Sequence, residues 1–327
     1  MDRLSRRGAT ALGLAGAAVF LALAACGARP HVTYARDDAA GTLSVAIDGR
    51  EAFVFQYGPA VDLPHYWPMR SPSGKNMLVR KTEPYPHHRS FWFADTVRPG
   101  GWERDLSFYN GLYSGVKTEA GDYVPPFRDR IRLVSLPRIE AKNDRAEIVA
   151  ELVWETDGQP VINERRELAV HSLGGGEYLL DLTWTLTVPA GDVQFVSDDV
   201  HYAWPFLRLD TAWNGEHGGR ITSDSGATGQ EATNMKPALW IEYSNTVEGV
   251  AEGVAVFQWP DGREHRWLTR EYGCFGPRRP DDRSGKPFTL RRGESLTQRA
   301  GVLVHKGDVA GGRVRERYDR YVKGGFR

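Results

Sequence analysis

The sequence is short of cysteine, of net charge and of long apolar runs, and each shortage excludes a class of protein. Only two cysteines, Cys26 and Cys274, occur in 327 residues, which excludes a scaffold held together by several disulfides. Basic and acidic residues number 42 each, and this balance argues against nucleic acid or an acidic polymer as the main partner. After residue 26, no apolar run approaches the roughly 18 residues that a membrane-spanning helix needs.

Several motifs of nucleotide-binding proteins and hydrolases are also missing. The chain has no Walker loop, no GxGxxG after a predicted strand, no HExxH and no GxSxG. The sequence therefore does not support a P-loop enzyme, a Rossmann dehydrogenase, a zincin or an α/β-hydrolase.

The N-terminus has the order of a secretory signal. A basic segment (residues 1–7) precedes an apolar stretch (residues 9–25) that ends in Leu23-Ala24-Ala25-Cys26. We predict a lipoprotein signal peptide over residues 1–25, lipidation at Cys26 and a polar tether over residues 26–40. The protein is then exported and held at the membrane of the periplasm or at the outer membrane. An uncleaved membrane anchor is the alternative.

Period-two patterning dominates the rest of the chain. Leu43, Val45 and Ile47 alternate with small polar residues before an Asp48-Gly49 turn signal, and residues 178–188 form the clearest strand. Helical spacing is confined to the C-terminus, in a stripe formed by Val314, Tyr318, Tyr321 and Val322. The pattern predicts an all-β fold, a large antiparallel β-sandwich in one domain over residues 41–327, with a short C-terminal helix.

The densest polar and aromatic segment spans residues 84–95 and contains a His-His pair. If a strand begins at His87, then His87 and Arg89 face one way and His88 faces the other, so the two histidines cannot ligate one metal unless the backbone bends there. We therefore predict His87 and His88 as candidate acid or base, Arg89 as a clamp and Trp92 as a platform for substrate. A purely structural histidine pair is the alternative.

Two further segments combine polar and aromatic residues. His201 follows two aspartates that could orient its imidazole, which makes it a third catalytic candidate, with Tyr202 beside it as a binding residue. Arg270 and Tyr272 lie in a late aromatic segment and suit a hydroxyl-rich or carboxylate ligand. A capped polar loop and an edge strand with a stacked arginine are the respective alternatives.

Trp67 and Glu164 complete the predicted substrate-binding residues. Trp67 lies in an aromatic segment followed by a turn, and aromatic faces beside polar donors are typical of sugar sites. Glu164 belongs to a strand of alternating charge, for which a solvated face is the simpler interpretation.

Together these segments resemble the family labelled "methane oxygenase PmoA-like", a domain of uncharacterised function. The resemblance covers nearly all of the chain after Cys26 and is carried by Tyr66-Trp67-Pro68, His87-His88-Arg89-Ser90, Glu164-Arg165 and Trp267…Arg270-Glu271-Tyr272-Gly273. It implies a β-sandwich similar in outline to sugar-mutarotase-like supersandwiches and a role in carbohydrate breakdown. The family's label does not transfer as a function, because the methane monooxygenase subunit is an integral membrane protein and this sequence shows no copper-site spacing.

Two functions follow for an exported lipoprotein of this kind. The first is an enzyme that acts on a carbohydrate or an oxidised (keto) sugar by histidine-based hydrolysis, elimination or epimerisation. The second is a non-catalytic carbohydrate-binding lipoprotein that uses the same aromatic and arginine residues. The expected partners are a small carbohydrate and, through Cys26, the membrane, without nucleic acid. No cofactor is evident, and a divalent metal held by histidine and carboxylates stays open.

The lipid anchor generates a direct test. Cys26→Ser removes the thiol that receives the lipid, so we expect the precursor to stay unprocessed or the protein to be released from the membrane. Metabolic labelling with palmitate and membrane fractionation measure this, and labelling that persists in the serine variant would contradict the prediction.

Overall fold

The computed structural model describes residues 31–197, 202–280, 283 and 285–326. The predicted tether is wrong in its described part, because Val32–Asp37 already forms a strand that pairs with Thr42–Ile47. The Val32 N–H also donates to the Asn143 carbonyl at 2.7 Å, which fixes the start of this strand. The folded domain therefore begins before residue 41.

Strands make up most of the described chain. Strands β1 to β11 are Val32–Asp37, Thr42–Ile47, Arg50–Gln56, His65–Met69, Phe91–Trp92, Thr96–Pro99, Leu106–Ser107, Val116–Lys117, Tyr123–Val124, Asp129–Lys142 and Arg145–Thr156. Strands β12 to β22 are Gln159–Gly174, Glu177–Thr187, Val193–Phe195, Phe206–Arg208, Arg220–Ser223, Trp240–Val247, Val250–Gln258, Trp267–Thr269, Cys274–Pro277, Phe288–Leu290 and Ser295–Lys306. Helices α1 and α2 are Gly229–Thr233 and Val314–Val322, and 3₁₀ turns occur at Gly111–Ser114, Thr211–Trp213 and Gly215–His217.

Two large antiparallel sheets form the body of the fold. The first has eight strands in the order β1-β2-β3-β4-β5-β15-β20-β19, and the second has eight in the order β10-β11-β12-β13-β22-β18-β17-β16. Smaller sheets, β21-β14-β6-β7 and β8-β9, lie beside them. The predicted all-β antiparallel sandwich with a short C-terminal helix is confirmed.

The two sheets meet through large aromatic side chains. Tyr243 of the second sheet packs against Phe275 of the first at 4.3 Å between ring centroids, and Phe93 packs against Trp184 at 4.7 Å. Buried aromatic rings are large, and they contribute more to the stability of such a core than other apolar side chains do. One continuous cluster of buried hydrophobic residues fills the space between the sheets.

The outer face of the second sheet is covered by α2. Its apolar stripe of Val314, Tyr318 and Tyr321 packs on a separate buried cluster that includes Phe257 and Leu303. This confirms the stripe predicted from the sequence. Within the described residues, no helix combines the length and the apolar character needed to cross a membrane.

Glu164 is a structural residue of the sandwich interior, which corrects its prediction as a substrate-binding residue. Its carboxylate is fully buried and accepts hydrogen bonds from Trp154 Nε1 at 2.7 Å and Arg166 Nε at 2.6 Å. The next side chains along the strand, Arg165 and Glu167, form an exposed pair at 3.0 Å. The solvated-face interpretation therefore holds for one face of this strand, and a buried ion pair occupies the other.

This contrast between the two faces of one strand predicts that substitutions on them change the free energy of unfolding by very different amounts. Glu164→Gln leaves the Arg166 guanidinium buried without a counter-charge, so we expect a loss of about 3–5 kcal/mol in the free energy of unfolding. Glu167→Gln breaks only the exposed pair and should cost about 0–1 kcal/mol. Urea unfolding of both variants checks this, and a small loss for both would show that the buried pair is not the structural element described here.

Candidate functional site

The candidate site lies on the face of the first sheet that points away from the second sheet. Phe275 packs inward on the second sheet, and Leu207 is directly opposite Phe275, so Leu207 faces inward too. Because side chains alternate along a strand and opposed residues share a face, Phe206, Arg208 and Cys274 all face outward. An open cleft of about 480 Å³ covers this outward face at Cys274.

The cleft brings together four segments that are distant in sequence. Its lining consists of Tyr85, His87, His88, Tyr109, Asn110, Tyr202, Leu268, Arg270, Tyr272 and Cys274. Five of these, His87, His88, Tyr202, Arg270 and Tyr272, were predicted as site residues from the sequence. Four tyrosines give the cleft aromatic walls, and the two histidines lie next to them.

The two histidines face the same cleft, which corrects the prediction that they point in opposite directions. The strand begins at Phe91 rather than at His87, and the chain before it is a turn in which the His88 N–H donates to the Tyr85 carbonyl at 2.9 Å. Ser90 adopts a left-handed φ of 83°, which reorients the chain just before the strand. As a result, the imidazole centroids of His87 and His88 are 4.6 Å apart.

His88 is held between aromatic rings and hydrogen-bonded on one side. Tyr85 stacks on its imidazole at 4.9 Å, and Trp92 lies behind it at 5.6 Å. His88 Nε2 is 3.2 Å from the Tyr109 hydroxyl, whereas the buried Nδ1 has no hydrogen-bond partner among the described residues. One ring nitrogen is therefore positioned by the protein, and the other keeps its hydrogen-bonding capacity unused.

Burial keeps both imidazoles uncharged near neutral pH. Desolvation, followed by the charges of His87 and Arg208, lowers the pKa of His88 to about 2. Desolvation and then Arg89 lower the pKa of His87 to about 4, and its Nδ1 lies 3.0 Å from the Tyr113 hydroxyl. A neutral imidazole can accept a proton or a hydrogen bond, and a negative charge bound nearby would raise its pKa.

A column of five stacked rings connects the core to the cleft. It consists of Phe206, Trp92, His88, Tyr85 and Tyr272. Phe206 and Trp92 are nearly parallel, with centroids 4.6 Å apart and planes at 11°, and Tyr85 meets Tyr272 at 5.6 Å. Trp92 is only 1% exposed, so it supports His88 from behind and is not the substrate platform that the sequence suggested.

Arg208 does not line the cleft itself but lies directly behind two residues that do, Tyr272 and Cys274, and the sequence analysis did not predict it. Its guanidinium lies 4.5 Å from the Tyr272 ring centroid, at the end of the ring column, and the residue is 6% exposed. Its buried Nε and Nη1 have no hydrogen-bond partner among the described residues. The signal available in the sequence was one arginine within the apolar run Phe206-Leu207-Arg208-Leu209. Cys274 lies opposite Arg208, and burial raises its thiol pKa to about 12, so it is uncharged at neutral pH.

Arg270 and Tyr202 both line the cleft and are anchored by their neighbours. Arg270 Nη1 donates to Asn234 Oδ1 at 2.7 Å and to the Thr269 carbonyl at 3.1 Å. The Tyr202 hydroxyl is 2.8 Å from Thr96 Oγ1, which fixes the end of that side chain. Both side chains therefore enter the cleft from fixed positions.

Arg89 does not line the cleft, which corrects its prediction as a clamp. It is 1% exposed, and its Nε donates to Asp62 Oδ1 at 3.0 Å while Nη1 donates to the Pro86 carbonyl at 2.6 Å. Arg89 thus holds the histidine-bearing turn to the body of the domain. Trp67 lies outside the cleft as well, with the Arg80 guanidinium 5.3 Å from its ring centroid.

Two predicted residues, His201 and Cys26, lie outside the described residues, and their roles stay predictions. Across the part of the chain that the structure describes, no group of three or more histidine, cysteine or acidic side chains could hold a metal ion.

Comparison with known proteins gives a family and several similar folds. Residues 42–319 match the model of a family of unknown function (DUF6807). No curated protein matches the sequence. The GH36 α-galactosidase AgaB from Geobacillus stearothermophilus is 11% identical, with a TM-score of 0.44 over 86% of this chain and 42% of that one. This chain thus spans about two-fifths of the length of such α-galactosidases.

Smaller proteins are similar over their whole length. Galactose 1-epimerase from Lactobacillus acidophilus NCFM is 10% identical, with a TM-score of 0.39 over 85% of this chain and 99% of that one. A GalM/aldose epimerase homologue from C. elegans is 6% identical, with a TM-score of 0.35 over 85% of this chain and all of that one.

The desolvated histidines generate a spectroscopic prediction. Because burial disfavours the imidazolium, His87 should titrate near pH 4 and His88 should stay neutral until the protein unfolds in acid. NMR of ¹³C,¹⁵N-histidine-labelled protein measures this, with His87→Gln and His88→Gln used to assign the two signals. A midpoint between pH 6 and 7 for either residue would contradict the buried arrangement.

Proposed function

We propose that this chain, which belongs to the family of unknown function DUF6807, binds a small carbohydrate or oxidised sugar in the cleft and transforms it by histidine acid/base chemistry. The observation that carries the proposal is the placement of two neutral histidines 4.6 Å apart inside a cleft walled by four tyrosines.

The shape and lining of the cleft suit a sugar. The apolar C–H faces of a pyranose pack on aromatic rings, and the walls offer the rings of Tyr85, Tyr109 and Tyr272. The tyrosine hydroxyls and the Asn110 amide can exchange hydrogen bonds with sugar hydroxyls. The volume of about 480 Å³ falls in the range of small-molecule sites, about 300–1,000 Å³.

His88 is the stronger candidate for proton transfer. In the tautomer whose Nε2–H donates to the Tyr109 hydroxyl, Nδ1 carries the lone pair that would accept a proton from the substrate. In an elimination or epimerisation next to a carbonyl, the charge that develops on oxygen as the proton leaves raises the pKa of His88 and draws the proton to it. Arg270 lies in the same cleft and can stabilise that oxygen. In a hydrolysis, the His88 imidazole would instead accept a proton from the water molecule that attacks the substrate.

A non-catalytic sugar-binding protein is the second candidate. The observation that favours it is that the described lining holds four tyrosines, which suit stacking and hydrogen bonding to a sugar, against two histidines. Its histidines would serve only as hydrogen-bonding and stacking surfaces.

The cellular setting is part of the proposal. The signal sequence predicts an exported lipoprotein anchored through Cys26. Because the first strand begins at Val32, only residues 27–31 would separate the lipidated residue from the folded domain, so the domain would work close to the membrane surface.

A matched pair of histidine variants tests the proposal. Wild-type protein is incubated with a panel of glycosides and their oxidised (keto) derivatives, and products are detected by mass spectrometry while binding is measured by calorimetry. His88→Asn should lower turnover by about 10²–10⁴-fold, the usual contribution of a general acid or base, and change affinity far less. His31→Asn, at an exposed histidine outside the cleft lining, should change neither quantity.

The outcomes separate the two functions. Binding without turnover in the wild type, weakened by Tyr85→Ala and Tyr272→Ala, would establish the non-catalytic candidate. Absence of both binding and turnover across the panel would refute a carbohydrate function for this cleft.

A further inference from the structure

We infer that the Arg208 guanidinium forms an anion-recognition subsite of the cleft and that the sugar bound there carries a carboxylate. This inference rests on the proposed carbohydrate function and specifies the class of sugar.

The first observation is a buried charge without compensation. Arg208 is 6% exposed, and its Nε and Nη1 atoms are buried without a hydrogen-bond partner in the part of the chain that the structure describes. A buried lysine can lower the cost of burial by losing its proton, whereas a guanidinium stays protonated and keeps its charge. An unpaired buried charge costs several kcal/mol unless something supplies a counter-charge. Among the described residues, no carboxylate forms an ion pair with this guanidinium, as expected for a group whose partner is a ligand.

The second observation concerns the titratable groups that interact electrostatically with Arg208. They are Cys274, Tyr272, Glu216 and Tyr85. Burial raises the thiol pKa of Cys274 to about 12, and burial also raises the hydroxyl pKa of Tyr272, so both are neutral at pH 7. Glu216 is the one acidic side chain among these four, and it acts on Arg208 through space, without an ion pair among the described residues. The guanidinium is therefore only partly compensated by these groups.

The third observation places this charge directly behind the wall of the cleft. Arg208 lies on the face of Tyr272 and directly opposite Cys274, and both of these residues line the cleft. Its positive charge also contributes to the lowered pKa of His88. A sugar held between the tyrosines would therefore lie against the two residues that cover the guanidinium, and a carboxylate on it would be attracted to that charge.

The chemistry of the guanidinium selects a carboxylate. Its planar fork donates two parallel hydrogen bonds that match the spacing of carboxylate oxygens, and Tyr272 holds that plane by stacking on it. A neutral hydroxyl would accept only one such bond and bring no charge. Uronic acids and other acidic sugars present the matching group.

Calorimetry with matched glycosides tests this inference. The probes are methyl β-D-glucuronide against methyl β-D-glucoside, and the corresponding galacturonide against galactoside, at pH 7. Hydrogen bonds to charged groups contribute about 1.5–3 kcal/mol, so we expect the acidic member of a pair to bind at least about tenfold more tightly. Arg208→Gln should reduce the acid to the affinity of the neutral sugar and leave the neutral sugar nearly unchanged. Arg208→Lys, which keeps the charge without the fork, should retain part of the preference.

Control variants and outcomes complete the test. Arg128→Gln removes an exposed arginine that pairs with Asp157, and it should leave both affinities unchanged. Equal binding of acidic and neutral glycosides by the wild type would overturn the inference while leaving the proposed carbohydrate function intact. A preference that survives in a folded Arg208→Gln protein would also overturn it. Failure of every glycoside to bind would overturn both, and the wild-type comparison decides the matter even if a variant does not fold.

Discussion

The cleft depends on one stack of aromatic rings that is rooted in the first sheet. Phe206 and Arg208 lie two residues apart on the same strand, so both project from its outward face. Phe206 contacts Trp92, and Trp92 contacts His88. From His88 the contacts continue through Tyr85 and Tyr272 to Arg208. Because its first and last contacts are fixed on one strand, no ring in the column can move far without disturbing the others.

This packing determines the electrostatics of the site. The same rings that hold His88 remove it from water, and this desolvation is the largest cause of its lowered pKa. They also bury Arg208, which keeps its charge because a guanidinium does not deprotonate. A neutral base in the cleft and a buried cation behind its wall are thereby held by the same ring column. A bound carboxylate would satisfy the cation and make the nearby imidazole more basic.

The sequence predicted the architecture well because strand alternation and turn chemistry are local properties. Asp48 and Gly49 take φ values of 52° and 76°, as the predicted hairpin turn requires. The site was predicted only in part. The orientation of His87 and His88 depended on where a strand begins, and the turn before Phe91 shifted that point by several residues. Charged side chains such as Glu164 look alike in a sequence whether they face a ligand or a buried partner.

The most direct test of the account is a crystal structure of the protein with methyl β-D-glucuronide bound. The account predicts the sugar ring against the tyrosine walls of the cleft, its carboxylate within hydrogen-bonding distance of the Arg208 guanidinium, and a ring substituent near His88 Nδ1. A ligand bound on another surface, or one in the cleft with its carboxylate directed away from Arg208, would contradict it.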